Sequence, residues 1–168
     1  GEQRLVPKSI DFSTMDNEEF SEFYSSCIDT CLSMVELGNE ELEEAICDTF
    51  EVKHAQLTSS GTTALSTAMA AMGVGYGDEV IMPTFTFVAS FEAILMLGAI
   101  PILVDIDDTL TLDPKAVEAA ITPKTKAVMV VQMCGSMGDL NALQNICSQH
   151  NLLFIEDACQ AIGGKYNG

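Results

Sequence analysis

The chain has 168 residues, 48% of them hydrophobic and 19% charged, enough apolar material for one well-filled core. Its formal net charge of −18, with only seven Lys and Arg, argues against a nucleic-acid surface, which needs clustered cations. No run reaches the roughly 20 apolar residues of a membrane span, and Gly1-Glu2-Gln3-Arg4 opens no signal-peptide core.

From Asp11 to Glu51 there are thirteen Asp and Glu and no Lys or Arg. A solvated helix surface explains this pattern, with an acidic docking face as the alternative. We therefore set residues 1–37 apart as an acidic helical segment. Within the next stretch, Leu42, Ile46 and Phe50 fall four apart and predict one apolar stripe on a helix over 40–50.

A short strand is expected over His54–Leu57, then a helix over 62–72. The turn Gly73-Val74-Gly75-Tyr76-Gly77-Asp78 leads to a strand over 79–82 closed by Pro83. A helix over 89–97 precedes a strand over 100–105. Asp113-Pro114 supplies an N-cap acid and a first-turn proline for a helix ending near Ile121. Ala127–Met133 reads as a strand, Leu140–His150 as a helix and Leu152–Glu156 as the last strand. Strands apolar on both faces, alternating with helices, predict the α/β class: a three-layer α/β/α sandwich around a mostly parallel sheet.

Several motifs fail on context. Gly73-Val74-Gly75-Tyr76-Gly77 follows a helix and precedes a strand, the reverse of a dinucleotide loop, so its glycines are turn formers. Asp105-Ile106-Asp107-Asp108 begins like a calcium loop. It has Leu110 where the sharp turn needs Gly, and Ala116 where a bidentate Glu belongs. The six cysteines form no C-x-x-C pair and no zinc-spaced cluster, so no metal is expected. Reduced thiols in a cytoplasmic protein, most of them small core residues, are the expectation. His54 and His150 stand alone, and no Ser or Cys nucleophile sits beside a histidine.

Two segments remain. Ser60-Gly61-Thr62 lies between a strand-like and a helix-like run, where the first-turn amides of Thr62 and Thr63 could hold a phosphate. Asp157 ends an apolar strand, where an unpaired carboxylate would be costly. It either caps a following helix or faces a protonated ring nitrogen. Phosphate at one strand exit and pyridinium at another together suggest pyridoxal 5'-phosphate (PLP).

The stretch from Gly38 to Gly168 resembles the DegT/DnrJ/EryC1/StrS sugar aminotransferases, a branch of the fold-type-I PLP enzymes. The resemblance runs in order through Ser60-Gly61-Thr62-Thr63-Ala64-Leu65, Gly75-Tyr76-Gly77-Asp78-Glu79-Val80-Ile81 and Pro83-Thr84-Phe85-Thr86-Phe87-Val88-Ala89. It continues through Gly98-Ala99-Ile100-Pro101, Val104-Asp105-Ile106-Asp107 and Ile155-Glu156-Asp157-Ala158-Cys159-Gln160-Ala161. It implies that residues 38–168 are the N-terminal part of a PLP-binding large domain. Gly61 and Thr62 would hold the cofactor phosphate, and Phe87 would stack on the ring. Asp157 would pair with the ring nitrogen, and Gln160 would hydrogen-bond the phenolic oxygen. It further implies a cytoplasmic homodimer that moves an amino group from glutamate to a nucleotide-linked keto sugar.

Two departures accompany the resemblance. The family's aldimine lysine lies well beyond the aspartate, and Lys165 matches a loop position, Gly163-Gly164-Lys165-Tyr166-Asn167-Gly168. No catalytic residue is therefore assigned, and the 168 residues alone are expected not to transaminate. Gln132 and Cys134 stand where the family often has His and an aromatic, before the glycine matching Gly135. Some relatives dehydrate sugars instead, so a dehydratase relative is the alternative, as is a non-catalytic module for a phosphorylated ligand.

Overall fold

The computed structural model describes residues 38–166. Of these, residues 38–57 fall in one compact unit and residues 58–166 in a second. In the first unit, helix α1 (Asn39–Phe50) starts at Gly38, whose N–H donates to Glu41 Oε2 at 3.2 Å. Glu40, Glu41, Glu44 and Asp48 are exposed, as a solvated acidic face requires. The stripe is only partly hidden: Leu42 and Ile46 are half-buried and Phe50 is exposed. The strand expected at His54–Leu57 does not form. Leu57 N–H and Gln56 Nε2 instead donate to Glu43 Oε1, at 2.8 and 2.9 Å, so α1 supplies the partner a strand would have needed. The segment 1–37, with Cys27 and Cys31, lies outside the described residues.

In the second unit, helix α2 (Gly61–Ala71) leads to strand β1 (Glu79–Pro83), helix α3 (Val88–Leu95) and strand β2 (Ile100–Val104). Helix α4 (Pro114–Ala120), strand β3 (Thr125–Val131), helix α5 (Leu140–His150) and strand β4 (Leu153–Asp157) follow. Side-chain caps set the helix starts. Asp113 Oδ1 accepts Lys115 N–H at 2.9 Å beside Pro114, and Asp139 Oδ1 accepts Ala142 N–H at 3.0 Å. The turn before β1 is built as its glycines suggest, with Gly73 and Gly77 both at φ 83° and Asp78 Oδ2 accepting Gly75 N–H. The third strand stops at Val131, two residues short of expectation. A 3-10 turn over Met133–Gly135 follows, with Cys134 in the left-handed region at φ 57°.

The sheet is wholly parallel in the order β2-β1-β3-β4. Successive side chains point to opposite faces, and each face has its own core. Val80, Met82, Ala127, Met129 and Val131 pack with Leu65 and Met69 of α2 and Ala93 and Ile94 of α3. Ile81, Val128 and Val130 pack with Val117 of α4 and Leu143, Ile146 and Cys147 of α5. The reason lies in chain direction. The β1-to-β2 connection runs one way along the sheet, and both later connections run the other way. Right-handed crossovers then place α3 on one face and α4 and α5 on the other. The three-layer α/β/α arrangement is the one the apolar strand pattern predicted.

Candidate functional site

The winding direction reverses at β1 and β3, so the chain leaves the carboxyl ends of these neighbouring strands toward opposite faces. That opens a crevice, the place where ligands settle in open α/β sheets. A cleft of about 240 Å³ lies there. Thr86, Phe87, Ala89 and Ser90 line it from the β1 exit, Val131 and Met133 from β3, and Asp157, Cys159 and Gln160 from β4. Gly61, Thr62 and Leu65 of α2 complete the wall. All five residues singled out in the sequence, Gly61, Thr62, Phe87, Asp157 and Gln160, thus meet at one cleft.

At the α2 end, Ser60 is the N-cap, and its Oγ accepts Thr63 N–H at 3.1 Å. This corrects the expectation that Thr63 offers a free amide. The amides of Gly61 and Thr62 are the pair without an acceptor among the described residues. They sit at the positive end of the helix dipole, a setting that favours an anion by about 0.3–2 kcal/mol before direct hydrogen bonds are counted. Gly61 has a second reason to be glycine: a Cβ there would lie 3.1 Å from Cys159 Sγ.

Asp157 is 7% exposed. Its Oδ2 accepts the Ser90 hydroxyl at 2.9 Å and its Oδ1 accepts Cys159 N–H at 3.2 Å. No helix follows among the described residues, so the carboxylate closes a tight turn and is not a helix cap. With the Cys159 thiol counted beside these two donors, one acceptor site on the carboxylate remains for a ligand. The Cys159 thiol also hydrogen-bonds this carboxylate. That bond, with burial and the adjacent negative charge, raises its pKa above 9.0.

Gln160 Oε1 accepts the backbone N–H of Cys134 at 2.7 Å. An amide N–H can only donate, so this contact fixes which end of the side chain is oxygen and leaves the NH₂ group as the donor. The left-handed turn at Cys134 is what aims that N–H. Phe87 precedes α3 and keeps 67% of its surface exposed, an aromatic face presented to the cleft.

Sequence reading missed Ser90, Thr86 and Cys159. The only hint for the first two was a hydroxyl-rich run after β1, Thr84, Thr86 and Ser90, which looks like ordinary helix-start chemistry. Lys165 is exposed and is not among the lining residues. Of the four described cysteines, all free, Cys147 alone is buried; Cys47 is half-buried, and Cys134 and Cys159 are exposed. The expectation of mainly core cysteines fails because two of them sit in the loops that follow β3 and β4. Among the described residues no His, Cys, Asp and Glu group could hold a metal, and no helix is long and apolar enough to cross a membrane.

An open parallel sheet whose strand exits gather a helix start with two free amides and a buried carboxylate fits the fold-type-I PLP class. The chain belongs to the DegT/DnrJ/EryC1/StrS aminotransferase family, which it matches over residues 14–168, beginning well before Gly38. It is 43% identical over 162 residues to GDP-perosamine synthase of Caulobacter vibrioides, covering 95% of this chain and 43% of that protein. The structure of S. venezuelae DesV in complex with a ketimine intermediate is similar at TM-score 0.75 and 38% identity. That match covers 90% of this chain and 43% of DesV. GDP-4-keto-6-deoxymannose-3-dehydratase with a trapped PLP-glutamate geminal diamine is similar at TM-score 0.73 and 26% identity, covering 92% and 42%. The chain therefore spans less than half the length of these relatives.

Proposed function

We propose that this chain forms the cofactor-binding part of a PLP-dependent aminotransferase that moves an amino group from glutamate to a nucleotide-linked keto sugar. The observation that carries the reading is the convergence of two free helix-start amides, a buried carboxylate, an oriented amide NH₂ and an exposed aromatic face on one cleft. These groups fit PLP. Gly61 and Thr62 would hold its phosphate, Phe87 its ring face, Asp157 its ring N–H and Gln160 its phenolic oxygen. When bound, PLP supplies an electron sink for carbanion chemistry at the amino-bearing carbon.

The chain's own part is to bind and to orient. Asp157 would keep the ring nitrogen protonated, because a carboxylate beside the ring N–H favours its charged form. Phe87 would cover one ring face and keep water from it. The reactive lysine is not among the assigned residues, so the 168 residues by themselves bind cofactor without turning over. The complete enzyme is a homodimer working in a reducing compartment, where the exposed thiols of Cys134 and Cys159 persist. The likeness to the dehydratase favours sugar dehydration as the second reading.

Calorimetry tests the reading, since the chain has no Trp to report binding by fluorescence. PLP should bind with measurable heat, and pyridoxal, which lacks the phosphate, at least about tenfold more weakly. Equal affinities for the two would remove the phosphate role of Gly61 and Thr62. Product analysis of the complete enzyme with glutamate and keto sugar separates amination from dehydration.

A further inference from the structure

Helix α3 begins directly after Phe87, and its first turn brings two hydroxyls together over the end of β4. Thr86 Oγ1 lies 2.9 Å from Ser90 Oγ, and Ser90 Oγ lies 2.9 Å from Asp157 Oδ2. Ser90 is 1% exposed, so water cannot stand in for either neighbour. A serine hydroxyl has one proton. A carboxylate oxygen accepts, so that proton points to Asp157, and the Thr86 hydroxyl must then donate to Ser90. The direction of both bonds follows from counting protons: Thr86 to Ser90 to Asp157.

We propose that Ser90, supported by Thr86, is the positioning residue that locks the Asp157 carboxylate in the rotamer facing the cofactor's ring nitrogen. The proposal rests on the PLP reading above. The other contacts to Asp157, the Cys159 N–H and thiol, come from the exposed loop just after β4 and share the carboxylate's own segment. Ser90 is the tie to a different element, buried and 67 residues away in sequence. A hydrogen bond to an ionised acceptor is among the stronger ones, and each bond in the chain polarises the next. Without it, the carboxylate is free to swing toward the Cys159 side and the exposed mouth of the cleft.

Calorimetric titration of the 168-residue chain with PLP and with 1-deaza-PLP, in which CH replaces the ring nitrogen, tests this. For Ser90→Ala, affinity for PLP should fall about tenfold, the worth of one charge-assisted hydrogen bond. Affinity for the deaza analogue should stay within about twofold, because that ligand has no N–H for Asp157 to meet. Thr86→Val, an isosteric change at a half-buried position, should show the same selectivity with a smaller loss. Equal losses for both ligands would mean that Ser90 merely holds the fold, and would overturn the proposal. An unchanged PLP affinity in Ser90→Ala would overturn it too. Failure of the parent chain to bind PLP would overturn the functional reading, and this inference with it.

Discussion

Replacing Asp157 by Asn and by Ala separates what the carboxylate does for a cofactor from what it does for the fold. In Asp157→Asn, the amide oxygen can keep the Cys159 N–H now held at 3.2 Å, while its NH₂ turns to Ser90. Ser90 Oγ then accepts and rotates its own proton onto Thr86 Oγ1, 2.9 Å away. The hydroxyl chain runs backwards, and every buried group stays paired. Unfolding free energy should therefore stay within about 1 kcal/mol of the parent. Asp157→Ala removes both acceptors and leaves a small cavity, with a cost of roughly 2–3 kcal/mol even if Ser90 turns to Thr86. Both variants should lose PLP affinity about tenfold or more, since neither offers an anion to the ring N–H. Urea unfolding and calorimetry measure the two effects separately. If the Asn variant is as unstable as the Ala variant, the hydroxyl chain does not reverse. If it binds PLP as tightly as the parent, the ring nitrogen does not face residue 157.

Gly61→Ala should weaken PLP binding by about 1–2 kcal/mol through overpacking against Cys159 Sγ, 3.1 Å from the new Cβ. Cys159→Ala should restore most of the loss in a calorimetric double-mutant cycle. Gly138→Ala would put a Cβ 2.1 Å from Oγ1 of the fully buried Thr111, costing roughly 1–3 kcal/mol in urea unfolding, and Thr111→Ala should recover part of that. Burial lifts the Cys147 pKa from 9.0 to about 11. The unfolded thiol ionises first, so its stabilisation is complete below pH 9 and is lost as pH rises toward 11. Linkage puts the loss at roughly 2–3 kcal/mol, and Cys147→Val should flatten that part of the stability profile. Cys159 should alkylate more slowly than a free thiol at pH 8, as its raised pKa requires, and PLP should protect it further; mass-resolved alkylation reports both.

Much of this architecture was legible because it depends on local rules. Asp113-Pro114 announces α4, and the unbroken apolar runs of β1 and β3 announce a sheet covered on both faces. The ends of the site were legible for the same reason: Ser60-Gly61-Thr62 is a helix start, and Asp157 is a charge at the end of an apolar strand. What failed depended on partners distant in sequence. His54–Leu57 reads as a short strand, but Glu43 takes the Leu57 N–H and the Gln56 side chain instead. Ser90 reads as a helix-start serine until β4 arrives beside it. Cys134 adopts a conformation usually left to glycine, and no pattern in its neighbours signals that the Gln160 side chain accepts the N–H this exposes.

The order of donors and acceptors around the cleft selects among ligands that share a phosphate. A nucleotide would satisfy the Gly61 and Thr62 amides and could stack on Phe87. At the far end, however, it would bring a neutral base to Asp157, a carboxylate whose protein partners on both oxygens are donors. Leaving a buried carboxylate without a cation there is costly. Gln160 adds a second condition, because Cys134 holds its oxygen and leaves only hydrogens to offer. The ligand must therefore carry an anion at one end, a protonated ring nitrogen at the other and an acceptor oxygen on the same ring. Pyridoxal phosphate would meet all three conditions at once, and under the proposed reading its ring would stack on Phe87.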